Sequence, residues 1–578
     1  MTFLPRTSLL AAAISGSLLV SSAQAAVVLS DGLDGTWGNA TQAGRGAAVD
    51  FIPLGDGSGV LFTGVFSYDA AGNPVWVTMQ PIFTPGQTSA ANVQVNRFTG
   101  GSFGNPSTPS TGAVVGSAIV TLASCSSLTI ALDMTPASGL ADVTLSLSPA
   151  QVNAGLAASA VCAEQDFTST CPAGTTASGD NCQLPSSITN NLILPAGKKY
   201  IVRGRVDVAS GGTLTVAPGV TVEGSVVRDS PNFISVSRGG RIYAEGTASN
   251  PITFTGPTPT PGSWAGIVIA GRSICNDANV TQRCQFEAVP DITYGEVPAL
   301  ENDNSGVLRY VRIRWAGQQI APNEELNSLT LLAVGNGTII DRVQVDGGLD
   351  DGFEMFGGSV NGRYLVCSNM GDDCFDFDQG YNGKIQFALG WQGTNSDIGG
   401  DSNGLESDND NPASDKLPRT QPAISNLTLV GSGTVGNEGV RLRRGSGGNF
   451  SNLVVTGFRD RCFNMIDPQT YALASGSAQG PLLSMTNTFM GGCIGGTLED
   501  TATAAYPVSA FYTISSAANG TGDPALNSGG FLPTDTSPVL IGGRSLSDGF
   551  FVPTTYRGAF RSARDNWTAG WTVNIPTR

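Results

Sequence analysis

The chain has 578 residues, with 76 glycines, 32 prolines, 10 cysteines and no histidine; 46 acidic against 30 basic residues leave a net charge of −16. Without histidine there is no Ser-His-Asp triad, no Cys-His dyad and no His-ligated zinc site. The acidic balance argues against nucleic acid and anionic membrane surfaces as partners, while 40% apolar residues suffice for a large core.

Residues 1–25 read as a secretory signal: Arg6 is a basic start, Leu9 to Val20 an apolar run, and Ala23-Gln24-Ala25 a small-x-small cleavage site. No cysteine follows that run to accept a lipid, and no later apolar run reaches the ~18 residues of a membrane span. The expected address is export, to the medium, the cell surface or the periplasm.

Residues 26–150 predict a small antiparallel β-domain. Val60–Phe66 and Val75–Met79 are β-branched, aromatic runs joined by the turn cluster Tyr68-Asp69-Ala70-Ala71-Gly72-Asn73-Pro74. Residues 100–115 read as a loop and 151–190 as a cysteine-bearing linker. The segments Gly35-Thr36-Trp37, Gly44-Arg45-Gly46 and Tyr68-Asp69 through Val75-Trp76 together resemble a small all-β module of exported proteobacterial proteins.

Ten cysteines allow five disulfides, in keeping with an oxidising compartment. Cys171/Cys182 and Cys275/Cys284 enclose short polar loops; proximity pairs Cys367 with Cys374, Cys462 with Cys493 and Cys125 with Cys162. The absence of any C-x-x-C speaks against zinc or an iron–sulfur cluster, and nothing suggests a nucleotide or haem.

From about residue 191 short strands alternate with Gly, Asn and Asp. Gly219–Gly224 reappears 22 residues later as Arg241–Gly246, and Val343 … Asp350-Asp351-Gly352-Phe353-Glu354 as Leu365 … Asp372-Asp373-Cys374-Phe375-Asp376. This period fits one coil of a right-handed parallel β-helix, whose connections follow the usual hand. The β-helix is placed at 191–500, with C-terminal coils and a capping tail at 501–578. Roughly 13 coils fit between 191 and 475. Leu214, Val216, Ile234, Val236, Ile252, Phe254, Ile267 and Ile269 supply inward apolar ladders, and Phe353, Phe375, Leu405, Val440 and Phe463 another. Trp567 and Trp571 are expected to fold the tail over the last coils.

The ordered segments Gly212–Val220, Ala244–Phe254, Gly262–Ile269, Leu308–Gly317, the two Asp-Asp coils and Asp565–Thr572 resemble a family of bacterial exported β-helix proteins, often labelled surface or outer-membrane lipoproteins. The resemblance implies a pectate-lyase-like solenoid and, carrying no established activity, gives no catalytic residues to transfer. This chain lacks the anchor cysteine of the lipoprotein members.

Side chains alternate along a strand, so the residues after the ladder phenylalanines point outward: Glu354, Asp376, Glu406, Arg441 and Asn464. Carboxylates ~5 Å apart raise each other's pKa or share a cation. An all-oxygen set suits calcium, with Glu354, Asp376 and Glu406 as ligands, joined by Asp401, Asp408 and Asp410 of the acidic stretch 397–415. The double-Asp turns at 350–351 and 372–373 also serve as caps on turn amides. The leading expectation is a structural or binding protein on a β-helix scaffold, serving adhesion or binding a glycan, matrix or surface component. The alternative is a calcium-dependent polysaccharide lyase for uronate polymers, with Arg441 or Arg443 as base.

Overall fold

Apolar residues at every second position, interrupted by glycine and proline, build strands almost to the exclusion of helix. The computed structural model describes residues 26–576 without 28, 30–32, 40–43, 54–57, 85, 101–109, 150–161, 163, 166–170, 180, 228, 277–282, 322–323, 394–401, 413–414, 435–436, 475–477 and 502–503. The expected signal segment lies outside the described residues.

The first unit is a meander of β1 (Gly35–Gly38), β2 (Gly46–Pro53), β3 (Gly59–Tyr68), β4 (Pro74–Met79), β5 (Ser89–Gly100), β6 (Ser110–Ser124), β7 (Ser127–Met134) and β8 (Val143–Pro149). Each strand pairs antiparallel with the next, and Ser148 of β8 pairs with Gly38 of β1. The sheet therefore closes into an eight-stranded barrel, which leaves no free edge. The predicted hairpin is present as β3–β4, in register from Thr63↔Met79 to Tyr68↔Pro74. The expected loop at 100–115 is shorter than read: β6 already starts at Ser110, where Gly112 pairs with Phe98 and leaves room for its ring.

The second unit is a parallel β-helix. Sheets of eighteen and ten strands run along it, the larger one parallel apart from its opening hairpin at 176–183. The expected inward residues divide between the two sheets: Leu214, Val216, Ile252 and Phe254 belong to the larger one, while in the smaller one Val206, Ile234, Ile267, Leu329, Phe353 and Phe375 stack in turn, and Leu405, Val440 and Phe463 continue the row. The residues of this row are at most 1% exposed, and the rings of Phe353 and Phe375 stack 5.4 Å apart. Each such side chain contributes roughly 1.5–3 kcal/mol of hydrophobic stabilisation.

The 22-residue spacing holds for Leu192↔Leu214 and Phe353↔Phe375. It fails for the 219–224 and 241–246 match: Thr221 pairs with Thr253, and Arg241 with Thr213. The cause is a longer turn at 225–232, folded around the buried Asn232, which receives Gly204 N–H and donates to Ser225 and Val227 carbonyls. Ten strands in the smaller sheet, against roughly 13 coils expected, have a similar origin. Ile267 pairs directly with Leu329, so the chain between them makes a single coil, with the strand Gly306–Arg314 in the larger sheet and an excursion before it.

All five expected disulfides are present, Cys125–Cys162, Cys171–Cys182, Cys275–Cys284, Cys367–Cys374 and Cys462–Cys493. They fit an oxidising, extracytoplasmic setting. No helix among the described residues is long and apolar enough to cross a membrane.

One corner of the larger sheet is a column of left-handed residues, Tyr310, Arg342, Tyr364, Phe387, Asn426, Asn452 and Asn487, with φ between 48° and 59°. Such a conformation costs roughly 1–2 kcal/mol for each non-glycine residue. Stacking offsets it: Tyr364 lies 5.1 Å from Phe387, and the Arg342 guanidinium sits 4.3 Å over the Tyr364 ring. The C-terminal tail supplies the rest. Asn487 donates to Gly542, Asn426 to Gly558, Gln386 receives Val552 N–H and Gln344 receives Val573 N–H. Trp567 and Trp571 therefore do not cover the last coils. They meet Tyr364 and Tyr310 well down the rod, because the tail runs back along this corner.

Replacing Phe375 by alanine is expected to cost about 3–5 kcal/mol, read as a lower guanidinium midpoint for the β-helix transition. Trp571→Ala is expected to loosen the tail, so that trypsin cuts at Arg557, Arg561 and Arg564 several times faster while the rod persists. Unchanged cleavage would mean that the tail is held elsewhere.

Candidate cation site on the outer face

The site is built on six strands of the ten-stranded sheet: β9 (Leu329–Leu332), β10 (Phe353–Phe356), β11 (Phe375–Asp378), β12 (Leu405–Ser407), β13 (Val440–Leu442) and β14 (Phe463–Met465). Because Phe353 and its equivalents face the core, the next residues face away. Thr330, Glu354, Asp376, Glu406, Arg441 and Asn464 form one column in register. The predicted carboxylate alignment is thus observed, including the steps across chain insertions. Beside it run Asp378 and Asp408, with Arg443 above them.

A second column lies at the corner before the strands. Asp351 Oδ1 accepts the Asp373 amide at 2.8 Å, Asp373 Oδ1 the Asn403 amide at 2.5 Å, and Asn403 Oδ1 the Glu438 amide at 3.1 Å. The expected capping role is present, but each side chain caps the next coil rather than its own turn. Parallel stacking puts the following coil's N–H within reach.

These columns bring carboxylates together in three linked groups: Asp350, Asp351 and Asp372; Asp351, Glu354 and Asp376; Asp373, Asp376 and Glu406. In each group, one oxygen from every member lies within 4.8 Å of the others. Asp376 belongs to two groups, and its Oδ1 is buried without a hydrogen-bond partner. Glu354 receives a hydrogen bond from the Asn327 amide. The upper end is different. Glu406 is paired with Arg441 at 3.3 Å and with Arg443, while Asp408 is paired with Arg443 at 3.0 Å and Arg444 at 2.7 Å.

Of the acids expected as ligands, Asp376 meets Glu354 in one group and Glu406 in another, while Glu354 and Glu406 share none. Asp408 and Asp410 join none of these groups among the described residues; Asp410 is instead 2.5 Å from Lys416. Asp401 lies outside the described residues. Asp350, Asp351, Asp372 and Asp373 were read only as turn caps, although their 22-residue repeat beside the column was a signal for a wider cluster.

The column is recessed rather than displayed on an open face. Asp351, Asp373, Glu406 and Asp408 are each at most 7% exposed, while Glu354 and Asp376 between them are half-buried. The excursion after Ala270 climbs alongside: Asn276 N–H reaches Gln379, Asn276 Nδ2 reaches the Asn409 carbonyl at 2.8 Å, and Tyr294 reaches the Gln379 side chain. Glu287 on the same excursion, and Glu325 after it, add negative charge near Asp350. Burial, then like charge, pushes Asp350 up to about 7. Desolvation and Asp408 likewise bring Asp378 to about 7. Asp351, Glu354, Asp373 and Asp376 are raised well above the carboxylate range, first by burial and then by their neighbours. The arrangement either holds protons or takes a cation. Each group brings three carboxylate oxygens together, the hard-oxygen donors that calcium prefers.

No curated protein and no solved structure matches the chain. The family model for a pectate-lyase-like β-helix domain matches residues 186–572, covering the stacked coils, the carboxylate column and the returning tail. The chain belongs to the pectate-lyase-like β-helix family.

Proposed function

We propose that the protein is an exported β-helix scaffold whose recessed carboxylate column binds a divalent cation, calcium by its donor set, and through it an acidic glycan. The observation that carries this reading is Asp376. Its buried Oδ1 has no partner, and it sits between Glu354 and Glu406 in two overlapping carboxylate groups. An unpaired buried oxygen in such company is costly unless protonated or bound to a cation. A carboxylate-held calcium has open positions that a uronate oxygen can fill.

Binding is favoured over elimination by the state of the arginines. Arg443 would have to lose a proton to act as base. Its burial alone would lower its pKa, but Glu406 and Asp408 outweigh that and hold it above arginine's ordinary value. Arg441 is committed to Glu438 at 2.6 Å as well as to Glu406. Both serve as counter-ions to the upper acids.

Calcium at millimolar concentration is expected to raise the melting midpoint of the β-helix, and chelator to reverse it, because a ligand bound only by the native state stabilises it. Asp376→Asn should raise the metal-free midpoint and shrink the calcium response. No calcium shift in the parent protein sinks the reading. Polygalacturonate should then be retained by the calcium-loaded protein with a flat 235 nm trace; a rising trace would replace binding with lysis.

The pH dependence has a definite sign. Carboxylates whose folded pKa is raised bind more protons in the native state. Their stabilisation is full below the unfolded value of about 4 and is lost as pH rises through the folded value. For Asp350 and Asp378 that value is about 7. The metal-free melting midpoint is therefore expected to fall between about pH 5 and 8, with the calcium shift growing over the same interval as binding displaces protons.

A further inference from the structure

A cavity of about 230 Å³ opens at one end of the N-terminal barrel, bordered by Arg45, by the end of β3 with its turn at Asp69–Ala70, and by Leu140–Asp142 before β8. Its wall is apolar: Val65, Val75, Val77, Leu132 and Met134 line it, each no more than 8% exposed. Toward the opposite end Phe51 and Phe83 are buried, with the Phe51 ring packed over Gly59. Eight strands enclose enough room for a single small ligand. An apolar cavity of roughly 150 Å³ already takes benzene, so this one has space for a ring with a short side chain.

One guanidinium and two carboxylates border the mouth. Arg45, Asp69 and Asp142 stand at it. Both acids are occupied. Asp69 accepts the amides of Ala71 and Asn73 at 2.9 and 2.8 Å and the Asn73 side chain at 3.0 Å, while Asp142 accepts the Met134 amide at 2.7 Å. Arg45 makes no ion pair or side-chain hydrogen bond among the described residues, and it is partly buried at the cavity's edge. Ser67 and Tyr68 add hydroxyls beside it, the Tyr68 ring lying over Gly44. Two segments singled out in the sequence, Gly44-Arg45-Gly46 and the turn beginning at Tyr68, thus meet at one opening.

We propose that this mouth binds a small carboxylate of aryl size, with its apolar body inside the barrel and its anionic head on Arg45. The site is separate from the carboxylate column of the β-helix, and neither depends on the other.

The test uses the intact chain and saturation-transfer NMR with phenylacetate and indole-3-acetate, each beside its amide. Both acids are expected to receive saturation and to compete with each other. Ala141→Trp, at an exposed rim position, should close the mouth and abolish all signals without lowering the melting midpoint. Arg45→Gln should weaken the acids about tenfold, the size of a lost charge-assisted hydrogen bond, and leave the amides unchanged. The proposal is overturned by silence across the panel, by signals that survive Ala141→Trp, or by acids and amides weakening equally in Arg45→Gln.

Discussion

Register is the constraint on which this molecule depends. Parallel hydrogen bonding sets each coil ~4.8 Å above the last, so every residue stands over its equivalent. Inside the rod the repetition is favourable, because Phe353 on Phe375 and Ile234 on Ile267 bury apolar surface against like partners. Outside, the same repetition sets Glu354 on Asp376 and Asp376 on Glu406. A fold that rewards identical neighbours in its core penalises them at its surface when they are charged. The chain relieves that penalty where Arg441, Arg443 and Arg444 arrive, and leaves it standing two coils below.

The excursion after Ala270 decides how large the penalty becomes. On an open face, water would screen the carboxylates and leave them near their ordinary behaviour. With Asn276 and Tyr294 anchoring the excursion to Asn409 and Gln379, the column lies in a recess, where charges act on each other more strongly. Burial is accordingly the first cause of each raised carboxyl, and neighbouring acids the second. The Cys275–Cys284 bridge closes a loop within this excursion, so the wall is covalently braced near its start.

Legibility in the sequence followed the locality of the contacts. The 343–356 and 365–378 coils carry matching residues at one spacing, so their stacking and the outward column could be read directly. The 219–224 and 241–246 segments look just as alike, yet a turn organised by Asn232 places neither over the other. The barrel's closure rests on β8 meeting β1, a pairing of Ser148 with Gly38 that no local pattern announces. The recess was hidden for the same reason, since it is made by Asn276 finding Asn409, far away in the chain. Asp351 and Asp373 were visible as turn residues, but their bonds run to the following coil, which only the stacked geometry supplies.

A solenoid in which each coil touches only its neighbours can fray one coil at a time, since its stability is a sum of local terms. The returning tail changes that thermodynamics. Between Asn487 and Tyr310 it touches coil after coil at the left-handed corner, ending with Trp571 on the ring of Tyr310. Opening the C-terminal end therefore also removes contacts from coils in the middle of the rod. A quasi-one-dimensional stack with nearest-neighbour coupling becomes a body with long-range coupling, in which the stretch from Tyr310 to Asn487 melts as one cooperative unit.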